Sequence, residues 1–147
     1  MRELLELQSG QVAFISGLMS GFSLSIAAHV LRYGLRSRVA QIVFLLFLMS
    51  SLMFLLALYV DVRLSIELAG LDTLPENLLN SVTSVRNVGT SSATFALCVF
   101  IVATGLLGWV ATPATGVVST MLALIIFYLL WYVWDGINAI SLLIGKL

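Results

Sequence analysis

Residues 11–31 read QVAFISGLMSGFSLSIAAHVL, a run with no Asp, Glu, Lys or Arg that is nevertheless studded with Ser, Gly, Ala and one His. Its length and lack of charge predict a helix that crosses a membrane. Its composition predicts a helix that touches protein rather than lipid, because hydrocarbon offers no partner to a hydroxyl or an imidazole. A lipid-facing span would carry Leu, Ile, Val and Phe around its whole circumference.

The rest of the chain follows the same logic. Of 147 residues, 61% are hydrophobic and only 10% charged, with a mean hydropathy of +1.11. Soluble domains carry roughly 25% charged residues. A hydrocarbon core about 30 Å thick takes about 20 helical residues per crossing, and the chain has four uncharged runs of that order, 11–31, 39–60, 91–110 and 117–134. The expected fold is therefore all-α: one polytopic four-helix transmembrane domain over residues 1–147, multi-pass in a cell or plasma membrane, with the lipid bilayer as its first partner.

The formal net charge is zero, which argues against a polybasic surface for nucleic acid or anionic headgroups. A lone cysteine, Cys98, leaves neither a disulfide framework nor a Cys/His zinc pattern. No paired carboxylates, metal-ligand spacing, activated Ser or Cys, or phosphate-binding Gly loop is present, so no enzyme activity, metal or cofactor is expected. A proton-coupled transporter needs a carboxylate within the membrane, and none of the four runs holds one.

Between the first two runs lie Arg32, Arg36 and Arg38 without an acid, which places this loop on the cytoplasmic side. The second run is bulky and apolar, as befits a lipid-exposed span. Asp61 and Arg63 beyond it read as a close, exposed ion pair of little energetic weight. Thr73 and Glu76 form a capping-box pattern with Pro75 early in the new helix. From there an amphipathic segment over about 74–88 leads into the third span. Pro113 and Gly116 punctuate a tight connection, and Tyr128, Trp131, Tyr132 and Trp134 form an interfacial aromatic belt. Asp135-Gly136 then reads as a bend, opening a C-terminal extension over 135–147.

At 100° per residue the first run separates into three faces. Ser16, Ser20, Ser23 and Ala27 share one narrow stripe, together with Ser9. Gly10, Gly17, Gly21 and Ala28 share a second, with the Gly17-x-x-x-Gly21 spacing that lets membrane helices approach closely. Phe14, Leu18, Phe22, Ser25 and His29 form the third. Two faces read as helix-packing surfaces and the third as a candidate pore lining. This pattern suits a homo-oligomer with the first helix central. His29 is the default functional residue, because a titrating imidazole in a narrow site alters both charge and hydration.

Met19-Ser20-Gly21-Phe22 in the first span, Leu106-Leu107-Gly108-Trp109-Val110 closing the third, and the longer loop in the middle together resemble the Orai calcium channels. That resemblance implies first helices ringing a central pore. Aligned on Ser20-Gly21-Phe22, the family's pore-facing Leu and Phe fall on Leu18 and Phe22, its pore-facing Val on Ser25 and its basic inner residue on Phe14. Its acidic selectivity residue falls on His29, and a ring of imidazoles does not supply the field of a ring of glutamates. Calcium selectivity is not carried over, and the permeant ion is open. The resemblance also implies a cytoplasmic N-terminus, opposite to the reading of the arginine loop. The expected function is an ion channel, cation-conducting by preference, with a hydrophobic constriction. The alternative is a non-conducting structural or regulatory protein that associates through its small-residue faces.

Overall fold

A computed structural model describes the backbone of residues 2–35, 37–69 and 76–144, and the side chains of 11–32, 34–35, 37–67 and 81–136. Among the described residues the chain forms four α-helices, α1 (Arg2–Tyr33), α2 (Arg38–Ala69), α3 (Glu76–Ala111) and α4 (Pro113–Ile144). All four are long and apolar enough to cross a membrane.

Each helix overruns its expected span. At 1.5 Å per residue, helices of 32 to 36 residues are about 48–54 Å long, beyond a hydrocarbon core of about 30 Å. The 74–88 segment is not a separate element, because α3 runs unbroken from Glu76 into the third span. The capping-box residue Thr73 and Pro75 lie outside the described residues. The expected bend at Asp135-Gly136 is corrected: α4 continues through both residues to Ile144. A helical Gly costs about 1 kcal/mol relative to Ala, less than an interrupted backbone ladder in apolar surroundings.

The residues cluster into two compact units, 1–100 and 101–147. In the first, α1 returns on α2 through a short turn. Gly34 takes a left-handed φ of 93°, and its N–H donates to the Leu31 carbonyl at 3.1 Å, the glycine C-cap geometry. Ser37 then caps α2, its Oγ accepting the Ala40 N–H at 3.0 Å. The core of this unit is a stripe of α2, Val43, Phe47, Ser50, Phe54 and Ala57, packed against Ala27 and Val30 of α1 and Ala96 of α3, all buried. The Phe47 ring meets Phe100 edge-on, centroids 5.6 Å apart, and Ser50 Oγ donates to the Ala96 carbonyl at 3.0 Å.

In the second unit α3 turns into α4 through Thr112 alone. Pro113 occupies the first helical position, where a missing N–H is harmless. Thr112 Oγ1 accepts the Thr115 N–H at 3.2 Å, and Thr115 Oγ1 donates to the Gly108 carbonyl at 2.8 Å. Below the turn the helices nearly touch. Ser119 Oγ donates to the Gly105 carbonyl at 2.8 Å, the Trp109 ring lies over Gly116, and Trp109 Nε1 donates to Thr120 Oγ1 at 3.0 Å. Trp109→Phe keeps most of the ring and loses that hydrogen bond. Thermal unfolding in detergent should read a loss of about 1 kcal/mol, and a much larger loss would mean that the indole's extra ring, not its N–H, matters.

Candidate functional site

The serine stripe of α1 docks on α2. Ser16, Ser20, Ser23 and Ala27 are buried, Ser20 at 4% exposure. Ser20 Oγ donates to the Ser51 carbonyl at 3.1 Å and Ser51 Oγ donates to the Ser20 carbonyl at the same distance, while the two hydroxyls lie 3.1 Å apart. Each serine thus reaches the other helix's backbone, which is feasible only because no larger side chain intervenes. Ser23 Oγ is buried without a partner among the described residues. Gly17 sits at the edge of this contact, where an added Cβ would meet the Leu58 side chain at 3.6 Å, and Gly21 faces open space.

The expected pore-lining residues lie about 180° around the helix from the serine stripe. Phe14 is 70% and Phe22 55% exposed, and Leu18, Ser25 and His29 are exposed as well. Phe14, Leu18 and Phe22 follow one another at four-residue steps, so they stack as an apolar ladder roughly 6 Å per step. Ser25 and His29 continue the same line one and two turns on. The face therefore has an apolar half and a polar half, and no formal charge among Asp, Glu, Lys and Arg. Wherever copies of such a ladder converge, the apolar half resists wetting while the polar half holds water. The exposed surface of α4, by contrast, is almost uniformly bulky, with Leu122, Leu124, Ile125 and Trp131 among its residues.

One residue that sequence reasoning placed at the surface is inside. Asp61 is only 6% exposed, and the expected Asp61–Arg63 pair is corrected: Arg63 pairs instead with Glu67 at 2.9 Å, one turn on and in the open. Residues two apart point to nearly opposite sides of a helix, whereas residues four apart are neighbours. The signal was present in the spacing. Phe47, Ser50, Phe54, Ala57 and Asp61 recur at alternating steps of three and four, so Asp61 falls on the stripe that forms the core. It faces α3, where an added Cβ at Gly89 would lie 2.9 Å from Val60 Cγ1 and 3.8 Å from Asp61 Oδ1. Arg86, one turn before Gly89, attracts the carboxyl across this contact, yet Oδ2 is buried with no hydrogen-bond partner among the described residues.

Comparison with protein-family models, curated proteins and solved structures finds no match to this chain.

Proposed function

We propose that the chain is a multi-pass membrane protein whose copies assemble around α1, forming an ion channel, with cations the favoured permeant ions, in a cell or plasma membrane. The observation that carries this reading is the two-sidedness of α1: its serine stripe is buried against α2, with Ser20 hydrogen-bonded to Ser51, and the opposite face presents Ser25 and His29 at the surface in line with Phe14, Leu18 and Phe22. Lipid gains nothing from the hydroxyl and imidazole on that face, whereas a water-filled axis solvates both. The apolar ladder then acts as the constriction, and the Orai-like placement of Leu18 and Phe22 belongs to the same proposal. Reconstituted in planar bilayers, the protein should conduct. Leu18→Ser and Phe22→Ser should each raise the current by about tenfold, corresponding to about 1.4 kcal/mol of barrier and comparable to the cost of hydrating the lost apolar side chain. Unchanged conductance in both variants would overturn the assignment of the pore face.

A second reading is supported by Gly21, which faces open space beside the docked Gly17. A helix surface so open can receive another helix closely, giving an assembly that conducts nothing. In that case Gly21→Leu dissociates the oligomer in detergent, and the unaltered protein passes no current.

A further inference from the structure

We propose that Asp61 is a proton-binding site sealed into the contact between α2 and α3. Three observations converge on its carboxyl. It is almost wholly removed from the surface. One of its oxygens, Oδ2, is buried and receives no hydrogen bond among the described residues. The helices that enclose it approach so closely at Val60 and Gly89 that a single added methyl group would meet Val60 at 2.9 Å. A carboxylate shut away with one oxygen unanswered is strongly penalised, and the penalty disappears when that oxygen carries a proton.

The charged surroundings fit an exchange between two states. From α3 the group facing the carboxyl is Arg86. On α2 itself, Arg63 and Glu67 neutralise each other at the exposed side. The contacts Ser20–Ser51 and Gly17–Leu58 set α1 antiparallel to α2, which brings the described residues Gln11, Val12 and Ala13 level with Asp61, and none of these ionises. With the proton bound, Asp61 is a neutral acid and the contact stays closed. When the proton leaves to water, the carboxylate's negative charge has Arg86 as its counter-charge across the contact, and hydrating the unanswered oxygen requires α2 and α3 to shift at the Val60–Gly89 crossing. This makes the crossing a proton-operated latch. The site stands whether or not α1 lines a pore.

The test is infrared difference spectroscopy of the purified full chain in lipid across a pH series. The unaltered protein should show the carbonyl stretch of a protonated carboxyl at neutral pH, shifted by isotopic labelling of aspartate and lost in Asp61→Asn. Gly89→Ala leaves the carboxyl in place but forces the helices apart, so the band should shrink at neutral pH. Absence of any aspartate-sensitive band at neutral pH means the carboxyl is ionised and hydrated, and overturns the proposal. So does a band that survives unchanged in Asp61→Asn or in Gly89→Ala. Because the labelling experiment uses the unaltered chain, absence of the band overturns the proposal even if a variant fails to fold, and loss of the band in Asp61→Asn assigns it among the three aspartates.

Discussion

Gly108→Ile is expected to open the α3–α4 hairpin and to produce one of the largest losses of stability available to a single substitution in this chain. A Cβ at position 108 would lie 2.5 Å from the Thr115 carbonyl oxygen and 2.9 Å from Ser119 Cβ. The first obstacle is backbone and cannot rotate aside. Relief therefore requires α4 to move bodily, which also breaks the hydrogen bonds from Thr115 Oγ1 to Gly108 and from Ser119 Oγ to Gly105. Overpacking alone costs about 1–3 kcal/mol, and each lost hydrogen bond adds about 1 kcal/mol. Together they lower the folding equilibrium constant by a factor on the order of 10³. Thermal unfolding in detergent, followed by circular dichroism, should show a midpoint far below that of the unaltered protein. Gly136→Ala supplies the control, since nothing lies within 4 Å of its added Cβ and Ala gains up to about 1 kcal/mol of helix propensity. Equal effects of the two substitutions would contradict the close approach at Gly108.

The contrast between these two glycines indicates what the sequence made legible. Helix existence was readable wherever uncharged length decided it, and all four runs lie inside helices. The serine stripe of α1 was readable because a period of 3.6 separates faces cleanly. Helix ends were not, because Asp61, Arg63 and Glu67 close an uncharged run without ending the helix, which continues to Ala69 with Arg63 and Glu67 in the open. Asp61 was missed for a related reason. Its nearness to Arg63 in the chain suggests an ion pair, but its register with Phe47, Ser50, Phe54 and Ala57 decides which way the side chain faces. Gly89 could not be assigned at all from the sequence, since its role depends on Val60, which lies on another helix. What lies against the outer face of α1 is decided by other molecules, so the sequence of one copy specifies the face but not its partner.

Ser20→Leu is expected to dislodge α1 from α2, whereas Ser20→Ala should do little, and the difference separates two explanations of the serine stripe. If hydrogen bonding held the helices together, removing the hydroxyl would matter most. Side-chain hydrogen bonds between membrane helices contribute on average about 0.6 kcal/mol, so Ser20→Ala and Ser51→Ala should each cost about that or less, with a coupling energy of similar size in the double-mutant cycle. Close approach is the stronger term. Each hydroxyl reaches the opposite backbone at 3.1 Å, leaving no volume for three further carbon atoms. Leucine at position 20 must displace one helix, expose Ser51 and unseat Ala27 and Val30 from the core, at a cost of about 3 kcal/mol or more. Unfolding in a detergent series should place Ser20→Leu well below both alanine variants. The same substitution rotates or lifts α1, and with it the line of Phe14, Leu18, Phe22, Ser25 and His29. Under the pore reading, conductance then falls even in the fraction of protein that stays folded. A Ser20→Leu protein as stable as Ser20→Ala would show that α1 tolerates displacement, and a helix so loosely seated could not hold a constriction of fixed width.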